Sequence, residues 1–125
     1  MTFTPDINGV FFALRRDGHV PRYRVRPGET VVIRVTVTVP KQVKVLALWF
    51  GISTGTWGGG PHGPIGMNPI LAHYRQVLPA GSRTFGLHWQ IPHRYPGTSW
   101  YLTYAWSSKQ PPASVSGPIA TLALP

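Results

Sequence analysis

Few side chains in this sequence could carry out catalysis. The 125 residues include only three acids, Asp6, Asp17 and Glu29, and no cysteine. Asp17 in RRDGH and Glu29 in PGE occupy turn-like sequences, where acidic residues are common. Glycoside hydrolysis needs two convergent carboxylates, which would have to come from these turn positions. The acids therefore do not favour a hydrolase.

A serine nucleophile is equally poorly supported. Ser82 or Ser99 could be combined with a histidine and Asp17, but the sequence contains no G-x-S-x-G elbow. A phosphate-binding glycine loop requires a helix directly after it, and no helical periodicity follows any of the glycines. We therefore expect a protein without catalytic residues and without a cofactor.

Metal binding would have to rely on histidine and methionine. His62 and Met67 superficially resemble soft copper ligands, and His88 and His93 lie five residues apart with Pro92 between them. The chain has no H-x-H or H-x3-H spacing and no thiolate ligand. A lone histidine on the polar face of a strand is usually solvated, so we expect no metal site.

The basic side chains are the strongest chemical signal. Twelve Lys and Arg against three acids give a formal net charge of +9, which favours association with anionic partners. In PRYRVR, the three arginines project from one face of a strand and Tyr23 and Val25 from the other. The candidate polyanion-binding residues are Arg15, Arg16, Arg22, Arg24, Arg26 and Arg34. They form one patch only if their strands are neighbours, and charge on an edge strand also protects against aggregation.

A glycine-rich segment, GTWGGGPHGPIGMNP at 55–69, interrupts the strand pattern. It contains six glycines, three prolines and no charge. A long loop without structure inside a compact domain usually has a function or is disordered. Its candidate interaction residues, which offer a partner large side chains among glycines, are Trp57, His62, Ile65 and Met67.

The aromatic residues allow two interpretations. Large aromatics dominate burial energetics, so Trp49, Trp89 and one face of WYLTYAW are expected in the core. A flat platform for stacking on sugars is the alternative. The residues it could use are Trp57, Trp100, Trp106, Tyr95 and Tyr101.

The elements that position these residues are strands. In ETVVIRVTVTVP, valine and isoleucine at the odd positions 31 to 39 alternate with mostly polar residues, which predicts a half-buried strand. VKVLALWFGIS is apolar on both faces and is expected at the centre of a sheet. SRTFGLHWQIP, TSWYLTYAWSS and GPIATLAL are further strands, with INGVFFAL, VPRYRVR and ILAHYRQVL as weaker ones. Fourteen prolines and fourteen glycines separate short segments, which is typical of an all-β sandwich or barrel.

The order of RVRPGETVVIRVTVTVP, VKVLALWFGIS, LPAGSRTFGLHWQIP, GTSWYLTYAWSS and GPIATLAL resembles bacterial immunoglobulin-like and fibronectin-type-III-like domains. The resemblance covers Arg24 to Leu124 and implies an immunoglobulin-like antiparallel β-sandwich. The strand pattern predicts seven to eight strands, and the length of 125 residues fits a single domain covering residues 1–125. It also implies a scaffold of the kind used for adhesion, spacing or assembly.

These observations favour a non-catalytic interaction or assembly module. We expect a structural component of a larger particle, coat or cell-surface assembly, with a protein partner or a second copy as its ligand. The alternative is binding of an anionic polymer, nucleic acid or acidic glycan, through the arginine-rich face. The start of the sequence has neither a basic leader nor a long apolar segment, so we expect no signal peptide and no membrane insertion. The absence of cysteine leaves the compartment open.

Overall fold

A computed structural model of the chain describes residues 1–12, 20–55, 58–60, 63–108 and 114–125. These residues form strands and connecting segments, and none of them lies in a helix that could cross a membrane. The ten strands are β1 (Thr2–Ile7), β2 (Arg22–Arg24), β3 (Thr30–Val39), β4 (Val43–Ser53), β5 (Gly58–Gly60), β6 (Gly63–Ile65), β7 (Ile70–Leu78), β8 (Gly81–Gln90), β9 (Ser99–Ser107) and β10 (Val115–Ala123). The predicted all-β class is confirmed.

Eight of these strands form two sheets. The first has the order β1-β3-β8 and the second the order β2-β10-β9-β4-β7, while β5 and β6 pair only with each other. All neighbours in the two sheets are antiparallel except β2 and β10, which are parallel. The prediction of a fully antiparallel sandwich is wrong at this pair. Strand direction depends on how the intervening chain crosses over, which alternating side chains do not encode.

The core lies between the two sheets. Val31, Ile33, Val35 and Val37 of β3 are at most 1% exposed, as their alternation predicts. They belong to one apolar cluster with side chains from the second sheet, among them Phe50. Burial of each such side chain contributes about 1.5–3 kcal/mol, so the two inner faces hold the sheets together in a sandwich-like arrangement.

β4 is an interior strand of the second sheet, between β7 and β9, and is buried on both faces. Its inner face contributes Leu48, Phe50 and Ile52 to the core. Its outer face carries a second, smaller apolar cluster that includes Trp49 and Met67. The predicted burial of this strand on both faces is therefore confirmed, although β9 and not β4 is the middle strand of the sheet, and the segment that follows β4 covers its outer face.

Candidate functional site

The glycine-rich segment lies between β4 and β7, where the sequence places it, but it is not without structure. β5 and β6 form an antiparallel ladder in which Gly58 pairs with Ile65, Gly59 with Pro64 and Gly60 with Gly63. The expectation of a structureless loop is therefore wrong. Consecutive glycines carry no side-chain alternation, so a ladder made of their backbone groups gives no pattern in the sequence. Trp57 and His62 lie outside the described residues.

Met67 is turned toward the chain's own sheet. It is 5% exposed and packs against Gly51 of β4, where a Cβ atom would overlap its side chain. Ile52 N donates a hydrogen bond to Pro69 O (3.0 Å) and Asn68 N donates one to Ile52 O (2.7 Å). Met67 therefore offers no free surface to a partner. Ile65 is 58% exposed and remains available.

The arginines of β2 and its continuation follow the predicted alternation. Arg22, Arg24 and Arg26 are exposed, whereas Tyr23 and Val25 are 4% and 1% exposed. The backbone N of Arg26 donates to Glu29 Oε1 at 2.6 Å, which fixes the turn that leads into β3. The three side chains form an arginine ridge, a name used below for Arg22, Arg24 and Arg26. Arg15 and Arg16 lie outside the described residues.

Arg34 does not extend this ridge within a sheet. It lies on the outer face of β3, in the first sheet, whereas β2 belongs to the second. Its partner in the ladder is Asp6 of β1, whose Oδ1 is buried and accepts no hydrogen bond within the described part of the chain. The condition that these strands are neighbours is therefore not met, and a carboxylate lies beside Arg34.

The free edge of β8 is a feature that the sequence did not reveal. β8 pairs with β3 over ten residues without a register shift, and no described strand pairs with its other side. Ile91 N donates to Glu29 O (2.8 Å) and Ile91 O accepts from Gly28 N (2.7 Å). Along a strand, the backbone N–H and C=O groups of successive residues point to opposite sides. The odd-numbered residues of β8 therefore bond to β3, and the even-numbered ones face the open edge. The residues whose backbone groups face it are Ser82, Thr84, Gly86, His88 and Gln90, all exposed.

The outer face of the first sheet is polar, and hydroxyl side chains join its strands by hydrogen bonds. The hydroxyls of Thr36 and Thr84 lie 3.1 Å apart, and those of Thr38 and Ser82 lie 2.8 Å apart. These side-chain pairs join β8 to β3 directly. They leave the backbone groups on the other side of β8 open to solvent. The sequence gives only an indirect sign of this edge. Protected edge strands usually contain proline or clustered charge, and β8 contains neither.

The described histidine and acidic side chains do not gather at one place, and His62 and Asp17 lie outside the described residues. Among the described ranges, no three His, Asp or Glu side chains come together. His73 stacks on Trp49, with ring centroids 4.5 Å apart and an angle of 7° between the planes. Burial, and to a smaller extent the charge of Arg75, lowers the pKa of His73 below its usual value. This histidine belongs to a packing contact on the outer face of the second sheet.

The aromatic residues divide as the core interpretation predicts. Trp49, Trp89 and Trp100 are at most 8% exposed, and the last two meet edge to face at 5.3 Å. Tyr95 and Trp106 are 76% and 38% exposed. Tyr95 precedes β9 and Trp106 lies near the other end of that strand, so they are about 20 Å apart at the usual rise of a strand. The described candidates therefore do not form a continuous platform for a sugar.

The candidate functional surfaces are thus the open edge of β8, the arginine ridge and the exposed Ile65 of β6. No protein-family model matches this sequence and no curated protein is similar to it, so its geometry carries the functional inference.

Proposed function

We propose that the chain is a non-catalytic assembly module that associates with further copies of itself through the open edge of β8, on an immunoglobulin-like sandwich. The strand orders support this topology: β1-β3-β8 corresponds to A-B-E of an immunoglobulin sheet, and β10-β9-β4 to G-F-C. In constant-type domains a fourth strand, D, lies beside E. The strand before β8 in this chain, β7, pairs with β4 instead. The place of strand D is therefore open.

One observation carries the proposal, the contrast between β8 and the other three edges. β1 contains Pro5, β2 is three residues long and flanked by arginine, and the β7 ladder has two register shifts. Prolines, short length, charge and bulges are the devices by which natural sheets prevent pairing with other chains. β8 is long and regular, with no proline, no register shift and a single charged residue, Arg83, so its edge is suited to receiving a strand.

A second copy is a suitable occupant because the edge is complementary to itself. A twofold axis at Gly86 would place two β8 strands antiparallel, with Thr84 of one opposite His88 of the other. The side chains that face outward along β8 are neutral or histidine, so no two Lys or Arg side chains meet directly. The net charge of +9 opposes association, but the arginine ridge lies in the other sheet. Exposed charges farther apart than about 8 Å are largely screened at physiological salt.

The test uses two substitutions at one position. Gly86→Pro removes an N–H that faces the open edge and leaves the bonds of β8 to β3 intact. Gly86→Ala keeps that N–H and is its matched control, because a Cβ atom there meets nothing within 4 Å. We expect the wild type and the alanine variant to show a mass that rises with concentration above 13.8 kDa in sedimentation equilibrium. The proline variant should remain a folded monomer.

Two results would contradict the proposal. One is a wild-type mass that stays at 13.8 kDa up to high concentration. The other is association of the proline variant that equals that of the alanine variant, while circular dichroism shows both to be folded.

Polyanion binding is a second candidate function, and the arginine ridge supports it. Three exposed guanidinium groups on one side of β2 match the charge and spacing that a phosphate or sulfate polymer offers. We expect retention on heparin that weakens steeply with salt. Reversal of Arg22, Arg24 and Arg26 to glutamate should abolish it. The matched control reverses Arg75, Arg83 and Arg94, which are also exposed and change the net charge equally.

Equal losses in the two triple variants would show that net charge alone causes retention, and would remove the ridge as a site.

A further inference from the structure

A cleft lies beside the arginine ridge, between β2 and the turn that follows β1. Its volume is about 410 Å³, and its wall includes Ile7, Val10, Phe12 and Tyr23. Arg22 and Arg24 line its opening. The volume falls in the range of about 300–1,000 Å³ that is usual for sites of small ligands. The cleft is therefore large enough for a small molecule with an apolar part.

The apolar wall of this cleft is open to solvent. Three consecutive side chains, Val10, Phe11 and Phe12, are 46%, 55% and 45% exposed. The ring of Phe12 contacts that of Tyr23, with centroids 4.9 Å apart at an angle of 50°. Adjacent exposed apolar side chains are uncommon on a monomer and mark surfaces that contact something apolar.

The charged rim has one sign. Arg22 and Arg24 are exposed, and neither forms an ion pair with the described residues. Burial raises the pKa of Tyr23 above its usual value, so the phenol in the wall adds no negative charge at neutral pH. Guanidinium groups stay protonated and can each hold a carboxylate by two hydrogen bonds. Within the described part of the chain, the cleft therefore combines an apolar wall with two arginines that form no ion pair.

We propose that this cleft binds a free amphipathic anion, an aliphatic chain with a terminal carboxylate, whose chain lies on Val10, Phe12 and Tyr23 and whose carboxylate contacts Arg22 and Arg24. A simple polyanion would satisfy the arginines but leave the apolar wall in water. A neutral lipid would cover the wall but leave the arginines unpaired. Only an amphiphile matches both. The inference shares two arginines with the polyanion candidate and is independent of the β8 edge.

The test is calorimetric titration of the full chain with sodium decanoate below its micelle concentration. We expect saturable binding of about one decanoate per chain. Decanol, which has the same chain without charge, and acetate, which has the charge without the chain, should each bind at least about tenfold more weakly.

Three variants locate the site. Arg22→Gln with Arg24→Gln should weaken decanoate binding at least about tenfold, since one charge-assisted hydrogen bond is worth more than a factor of ten. Arg75→Gln with Arg83→Gln removes the same charge elsewhere and should leave it unchanged. Phe12→Ala should also weaken binding, and its partial exposure means that the protein is expected to fold, which circular dichroism checks.

The outcomes separate this proposal from its alternatives. Equal weakening by the two glutamine pairs would overturn it, as would binding of decanol as tight as that of decanoate. Binding to phosphatidylglycerol vesicles, but not to phosphatidylcholine vesicles or to free decanoate, would overturn it in favour of a membrane surface. In the variant with Arg22, Arg24 and Arg26 reversed to glutamate, heparin retention could be lost while decanoate binding stays. That result would overturn the role of the arginines in holding the carboxylate. Gly86→Pro should bind decanoate normally, whatever its state of association.

Discussion

Gly51 is the residue at which a single methyl group should matter most. A Cβ atom there would overlap Met67 and come within 2.7 Å of the carbonyl oxygen of Pro69. The side chain of Met67 can adjust, but the backbone of Pro69 is held by a hydrogen bond to Ile52. We expect Gly51→Ala to lower the free energy of unfolding by about 1–3 kcal/mol in urea titrations.

The matched control is Gly86→Ala on β8, which has open space around it and should change the free energy of unfolding by less than about 0.5 kcal/mol. Equal unfolding midpoints for the two variants would mean that Met67 does not pack as described.

His73 gives a prediction of pH dependence. Its pKa is lowered by burial and by Arg75, so the folded protein binds the proton less readily than the unfolded chain. Below the unfolded pKa of about 6.5 the unfolded state takes up more protons, and stability should therefore fall as pH decreases through this region. We expect His73→Gln to flatten that part of a curve of unfolding free energy against pH.

Gln90→Asn, on the exposed face of β8, removes no titratable group and serves as the control, which should leave the slope between pH 7 and pH 5 as it is in the wild type, within about the usual error of the extrapolation. A slope that His73→Gln leaves intact would exclude His73 as its source.

At the scale of single residues, the sequence predicted which face of a strand a side chain lies on, but not which distant residues it contacts. The buried positions of β3 and the outward arginines of β2 follow from alternation, which is a local property. The burial of Met67 could not be predicted, because it depends on a glycine in another strand that leaves space for it. The segment near Met67 reads as polar and glycine-rich, and its docking on the sheet leaves no periodic trace.

The edge of β8 makes a prediction for the whole strand. In hydrogen exchange of dilute protein, the amides of Thr84, Gly86 and His88 should exchange faster than those of Phe85 and Leu87, which bond to β3. At concentrations where the chain associates, the first group should become protected and the second should change little. Protection of both groups alike would point to association through another surface.

At the scale of elements, the strands themselves were largely predictable and their neighbours were not. Alternation and turn residues located β3, β4, β7, β8, β9 and β10. The assignment of β2 and β3 to different sheets, and the parallel pairing of β2, depend on which backbone edges meet after the chain has folded. Side-chain patterns carry no information about that choice. For the same reason the sequence does not reveal that Arg34 lies in a different sheet from the arginine ridge.

The charge of the whole molecule predicts opposite effects of salt on the two candidate functions. Copies that each carry +9 repel one another, and salt screens this repulsion over a distance that shrinks from about 10 Å at 0.1 M to about 3 Å at 1 M. Self-association through β8 should therefore strengthen, or stay constant, between these concentrations. Retention on heparin should weaken steeply over the same range. Sedimentation and heparin chromatography at matched salt concentrations measure both.

If self-association and heparin retention both weakened as salt is raised, the two measurements would report one electrostatic process. The β8 edge would then have no part in association.

The parallel pairing of β2 with β10 bears on the order in which contacts form as the chain folds. β2 lies near the start of the sequence, and the residue that faces Arg22 in the ladder is Thr121, so β3 to β9 are all synthesised in between. Contacts between residues so distant in sequence are slow to form because the chain between them must first be confined. We therefore expect the wall of the cleft that Tyr23 supplies to form among the last events of folding. A nascent chain would carry its exposed phenylalanines and arginines for most of its synthesis before the pocket between them exists.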